Sequence, residues 1–108
     1  MTPIAETPEP PYYAVIFTTV QSDDSEGYMD MAKRMFELAA KQPGYLGFEI
    51  AGTGSPGIGI SYWTDEASIR AWKANAEHQV AQDLGRDRWY DQYRLRVARV
   101  ERDYGFTR

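Results

Sequence analysis

Residues 12–20, YYAVIFTTV, are rich in β-branched and aromatic side chains and read as a β-strand. Side chains alternate along a strand, so Tyr13, Val15 and Phe17 point one way and Tyr12, Ala14, Ile16 and Val20 the other. Both faces are therefore apolar. An antiparallel sheet with one wet face alternates apolar and polar residues, and this strand does not. A layer of helices covers only one face. A bare second face would show on the order of a few hundred Å² of apolar surface, near the upper limit for a monomer. At about 25 cal/mol per Å², covering it is worth several kcal/mol. The expected cover is a second copy of the same sheet, because two-fold dimers are the commonest assembly. The alternative is that residues 2–11 fold back over it.

That leading segment holds four prolines and no periodic pattern, so residues 1–11 read as a flexible arm and 12–108 as one domain. After the first strand, QSDDSEG breaks the pattern and offers Asp24 or Ser25 as a helix cap. Tyr28, Met31, Ala32, Met35, Leu38 and Ala39 then fall on one helical face, and QPG at 42–44 ends the helix. YLGFEIAG (45–52) and IGISYW (58–63) read as a hairpin around TGSPG. Thr64 or Asp65 caps a second helix, whose core stripe is Ile69, Ala76, Val80 and Leu84. Gly85 marks an end or a break, RDRWYDQY is either a helical turn or a loop, and residues 93–106 form a long last strand. The order β-α-β-β-α-β predicts an α+β, ferredoxin-like fold, with a four-stranded antiparallel sheet and both helices on one face.

Composition removes several function classes. There are no cysteines and one histidine, so thiolate and multi-histidine metal sites within one chain are excluded. No apolar run is long enough to span a bilayer, and the N-terminus lacks a signal-peptide pattern, so no membrane association and a cytoplasmic location are expected. Charge is uneven: residues 1–85 carry 5 Lys+Arg against 12 Asp+Glu, and residues 86–108 carry 7 Arg against 4 Asp+Glu. In that last segment the signs are interleaved, giving no continuous cationic stripe. GIGISYW has no basic residue, which argues against nucleic acid on the central strands. No G-x-G-x-x-G, G-x-S-x-G or H-E-x-x-H motif is present.

The second helix carries the chemistry. Trp72, Asn75, Gln79, Gln82 and Arg86 share one stripe, and His78 lies beside it. A face of amides next to a tryptophan suits an enclosed wet pocket better than a solvated surface, which usually carries Lys and Glu. His78, with an ordinary pKa of about 6.5, is the side chain poised to act as a base near neutral pH. Asn75, Gln82 and Arg86 are candidate hydrogen-bond donors to a substrate. Trp72, Tyr62 and Trp89 are candidate stacking surfaces, and Met31 and Met35 an adaptable wall from the first helix. Each has a structural reading too. Trp72 and the methionines suit a core, Trp63 a packing role at a strand end, Trp89 and Tyr90 a dimer seam, and Arg86 a helix C-terminus.

The element order, the SYWTDEASIRAW block with Trp63 and Trp72 nine residues apart, and the small size resemble the antibiotic biosynthesis monooxygenase family of dimeric α+β barrels. The resemblance runs from Tyr12 to Phe106. It implies a homodimer with a pocket between sheet and helices in each subunit. It also implies oxidation of a small aromatic phenol or quinol by dioxygen without a cofactor; the catalytic candidates for that chemistry, read from the second helix, are His78 and Trp72. The alternatives are a non-catalytic ligand-binding module and a haem-binding or haem-degrading protein. Haem-degrading relatives place an iron-ligating histidine ten residues after a helical tryptophan. Here that position, counted from Trp72, is Gln82, and His78 lies about 120° round the helix from Trp72, which disfavours haem.

Overall fold

The computed structural model describes residues 4–23, 27–52, 56–82 and 89–108, with side chains in the second helix described as far as Ala76. The elements are β1 (Tyr12–Gln21), α1 (Tyr28–Ala40), β2 (Tyr45–Ala51), β3 (Gly57–Trp63), α2 (Glu66–Gln82) and β4 (Tyr90–Val100). They form the expected β-α-β-β-α-β order. The strands make one antiparallel sheet in the order β2-β3-β1-β4, so the doubly apolar β1 lies inside the sheet and β4 is an edge.

Opposed residues in an antiparallel ladder share a face. Tyr13 faces Trp63 and Arg99, Val15 faces Ser61 and Val97, and Phe17 faces Gly59 and Leu95. This is the helix side. Phe36 of α1 stacks on Phe48 of β2 with ring centroids 4.6 Å apart, and Trp72 of α2 lies on Trp63. The other side carries Tyr12, Ala14, Ile16 and Thr18 opposite Tyr62, Ile60 and Ile58 of β3 and Val100, Ala98, Arg96 and Arg94 of β4.

Residues of the arm cross this second side. The Ala5 amide donates to Glu49 Oε2 at 3.0 Å, and Tyr62 Oη donates to Glu49 Oε1 at 2.6 Å. Tyr12 Oη donates to Asp103 Oδ2 at 2.5 Å and accepts from Thr7 Oγ1 at 3.1 Å. Tyr12 and Ala14 are buried at that end, and Gly47 sits close under Ala5, where a Cβ would come within 3.1 Å of the Ala5 methyl. The cover is partial: at the opposite end of the same face Ile58 stays 41% exposed.

Local chemistry explains the element ends. Asp65 caps α2, its Oδ1 accepting the Ser68 amide at 2.7 Å. That hydrogen bond, together with the Ser68 hydroxyl, holds the Asp65 carboxyl below its usual range. The N-cap of α1 is Gly27, with φ 81° and no side-chain cap; Asp24 and Ser25, the expected caps, lie outside the described residues, as does Gly85. The last strand departs from the expected 93–106. It starts earlier, with Tyr90 paired to Gln21, and stops at Val100, opposite Tyr12. Before Tyr12 come Pro10 and Pro11, which have no amide hydrogen to continue the ladder.

Candidate functional site

The two helices lean on β2 and β3. The stripe Tyr28, Met31, Ala32, Met35, Leu38 and Ala39 faces inward along α1, with Met31 and Ala39 buried. In α2, Ile69 is buried and Trp72, Asn75 and Ala76 are half-buried, while Arg70, Ala71, Lys73 and Ala74 are exposed. The β4 side of the sheet is left less covered. Tyr93, Leu95 and Val97 point to the helix side, yet are 38%, 44% and 51% exposed. Small residues, Gly59 and Ser61, occupy the middle of β3 on this side, and a Cβ at Gly59 would meet only Ile50, at 3.9 Å. The result is an open apolar trough along Val15, Phe17, Leu95 and Val97 on the helix side of the sheet, next to the two helices that lean on β2 and β3.

Aromatic clusters stand at the two ends of the trough. At one end Trp63 is fully buried, 5.6 Å from Tyr45 and 6.2 Å from Trp72 between ring centroids, and its Nε1 donates to Ser61 Oγ at 2.8 Å. At the other end Tyr28, the first residue of α1, meets Trp89 at 5.9 Å and Tyr90 at 5.8 Å. Phe17 touches Tyr90 at 5.7 Å and Tyr93 at 5.6 Å. Burial first, and then the neighbouring Tyr28 hydroxyl, hold the Tyr90 phenol well above its ordinary range. Burial also raises Tyr45.

The residues singled out in the sequence divide accordingly. Trp72 lies on Trp63, Met31 is buried, Met35 and Asn75 are half-buried, and Trp89 is buried beside Tyr28. Tyr62 does not join them. Strand parity puts it on the arm side, edge-on to Tyr12 at 5.9 Å and bonded to Glu49; burial first, and then that hydrogen bond, raises its phenol strongly. The backbone of α2 carries His78 six residues and Gln82 ten residues beyond Trp72; their side chains, and Arg86 entirely, lie outside the described residues. Sequence reasoning did not single out Phe17, Tyr28 or Tyr93, and weighed Tyr90 between a dimer seam and a pocket wall. The available signal was that Tyr28 leads the same helical stripe as Met31 and Met35.

A separate depression of about 130 Å³, lined by Thr18, Thr19, Val20, Gln92, Arg94 and Arg96, is smaller than a typical ligand site. Among the described residues no group of three or more His, Asp or Glu side chains is placed to hold a metal ion. No described helix is long and apolar enough to cross a membrane.

The chain is 48% identical over 100 residues to the uncharacterized protein YqjZ of Bacillus subtilis, covering 92% of this chain and 88% of that one. It is 34% identical over 92 residues to the jasmonate monooxygenase ABM of Pyricularia oryzae, covering 82% of this chain but 43% of that longer protein. Its fold superposes on SnoaB, a cofactor-independent oxygenase from Streptomyces nogalater, with a TM-score of 0.64 at 17% identity, covering 86% of this chain and 95% of that one. A model of the antibiotic biosynthesis monooxygenase family matches residues 11–84, which takes in β1 through α2, and the chain belongs to that family.

Proposed function

We propose that this protein is a small cofactor-independent monooxygenase that oxidises an aromatic phenol or quinol with dioxygen in the trough between sheet and helices. One observation carries the reading: Tyr93, Leu95 and Val97 face the helix layer yet remain well exposed, so the trough is an apolar surface that a flat aromatic molecule can fill. The oxygenase names of SnoaB and of the jasmonate enzyme support the reaction class.

The electron balance needs no cofactor. A phenol bearing a hydrogen para to its oxygen reacts with one dioxygen to give a para-quinone and one water, and the substrate supplies all four electrons. His78 takes the phenolic proton. The phenolate passes one electron to dioxygen, and the radical pair joins at the para carbon as a peroxide. The proton held by His78 returns to that peroxide. Loss of the para hydrogen as a proton then breaks the O–O bond, expelling water. Trp72 stacks on the ring, while Asn75, Gln82 and Arg86 donate hydrogen bonds to developing oxyanions. Trp89, Met31 and Met35 shape the walls. Tyr62 bears on the substrate only by fixing β3 from the arm side.

The family resemblance also supports a homodimer, with residues 12–108 as the folded unit and 1–11 as its arm. The strip that the arm leaves open, Ile16, Ile58, Ile60 and Ala98, is the surface a second copy would cover. Light scattering should then give about twice the 12.4 kDa chain mass, and Ile60→Arg should return the chain mass.

The test of function is dioxygen uptake by chelator-treated protein against a panel of phenols, naphthols and hydroquinones. Uptake with at least one substrate, lowered at least tenfold by His78→Ala, supports the reading. No uptake above the His78→Ala, Trp72→Ala double variant across the panel overturns it.

A further inference from the structure

Residues 101–108 follow β4 without secondary structure, and every one of them is exposed. Two are large aromatics: Tyr104 is 97% exposed and Phe106 81%. The Arg108 guanidinium lies over the Phe106 ring, 5.7 Å from its centroid. The root of this tail is nonetheless tied down. Asp103 Oδ2 accepts the Tyr12 hydroxyl at 2.5 Å and lies 3.5 Å from Thr7 Oγ1 of the arm. The tail thus leaves the sheet on the arm side, at the Tyr12 end. That side also carries the open strip Ile16, Ile58 and Ile60. In its own chain the tail falls short of the strip's open end. Thr18, which pairs with Ile58, is six residues along β1 from Tyr12, about 20 Å at strand rise. Phe106, three residues past Asp103, extends at most about 11 Å.

We infer that the tail is an anchor for a second copy of this chain: Tyr104 and Phe106 of each copy lie on the Ile58 end of the other copy's sheet. Shape sets the orientation. The arm thickens the face at its Tyr12 end and leaves the Ile58 end bare. Two such faces meet flush when each filled end lies over the other's bare end, with the two-fold axis across the strands. That arrangement carries each tail toward the strip its own chain cannot cover. Area points the same way. The open strips alone bury well under the roughly 1,200 Å² of a stable interface. The two rings of each tail, almost wholly exposed in the single chain, add roughly 300–400 Å² per copy and bring the pair into that range. The assignment rests on the homodimer proposed above.

The experiment has two measurements on the full chain. In sedimentation equilibrium, the Tyr104→Ser, Phe106→Ser double variant should dissociate with a constant raised at least about tenfold, as loss of two aromatic anchors predicts. Both rings are exposed in the single chain, so the variant keeps its fold, which circular dichroism checks. The chain has no cysteine, so single cysteine variants can be joined selectively. Mixed with a short bis-maleimide, Phe106→Cys and Ile58→Cys should form a covalent pair at least about tenfold faster than either variant forms one with itself, because docking holds the two thiols at high effective concentration. An unchanged dissociation constant in the double variant, or a covalent pair formed as fast by Phe106→Cys with itself, overturns the tail assignment and leaves the homodimer standing. The single-chain mass at every concentration of the wild type overturns both.

Discussion

Trp63 and Trp72 stack across the boundary between sheet and helix, their ring centroids 6.2 Å apart and their planes 23° from parallel. Trp63 is wholly buried at the end of β3, and Trp72 is half-buried on α2. This contact fixes α2 over the sheet, and so sets where the residues that follow Trp72 lie. Trp63→Ala should cost about 3–5 kcal/mol by urea denaturation, since it removes the largest fully buried side chain. Trp72→Ala should cost about half as much and weaken aromatic ligands as well. A small effect at Trp63 together with a large one at Trp72 would invert this order of importance.

Glu49 joins the arm to the sheet, accepting from the Ala5 amide and from the Tyr62 hydroxyl. Glu49→Ala strands both donors and should destabilise the fold by about 1–3 kcal/mol. The arm should also become the first site of proteolytic cleavage, read by mass spectrometry of limited digests. An arm as resistant as in the wild type would mean that the Glu49 contacts do not hold it.

Gly44 links α1 to β2 at φ 85°, a backbone region that favours glycine, and its carbonyl accepts the Thr64 amide at 2.9 Å. A Cβ there would collide with Ser68 at the start of α2. Gly44→Ala should therefore lose at least about 2 kcal/mol, by strain and by pushing α2 off its seat. The Gly44→Ala, Ser68→Gly double variant should recover part of the loss by removing the obstructing side chain, and denaturation midpoints of the three proteins check it.

Tyr12, Tyr45, Tyr62 and Tyr90 all have phenols raised above the ordinary 10.0, with burial the first cause in each. The folded chain therefore holds protons that the unfolded chain releases once pH passes that value. The stabilisation is complete below about pH 10 and is lost as pH climbs toward the folded-state values. The urea midpoint should be flat from about pH 7 to 9 and fall above about pH 10. Ultraviolet titration should show half of the 8 tyrosines ionising only as the fold opens. All eight ionising together near pH 10 in the folded protein would contradict the burial.

Much of this arrangement was legible in the chain. Two-fold alternation separated Tyr13, Val15 and Phe17 from Tyr12, Ala14 and Ile16, and helical periodicity placed the Tyr28-to-Ala39 stripe, because one buried face per element is a local pattern. Register was not local. The pairing of Tyr90 with Gln21, and the stop at Val100, depend on where β1 begins and on the prolines before it. Tyr62 sat between Ser61 and Trp63 in sequence and was grouped with Trp72, yet strand parity sends it to the arm side. The phenol cluster at Tyr28 and Tyr90 joins residues more than half the chain apart, and periodicity within either element gives no sign of it. The arm's bonds to Glu49 and Tyr12 were equally out of reach, since proline-rich composition says nothing of where an extended segment lands.

In the reaction proposed for this protein, dioxygen inserts one atom into an aromatic substrate without metal or flavin. Turnover of a panel phenol under isotopically labelled dioxygen, with chelator-treated protein and mass analysis of the quinone, tests it most directly. One labelled oxygen in the product, and its loss in His78→Ala, is the expected result. Product carrying only solvent oxygen, or turnover that requires added metal or flavin, would contradict it.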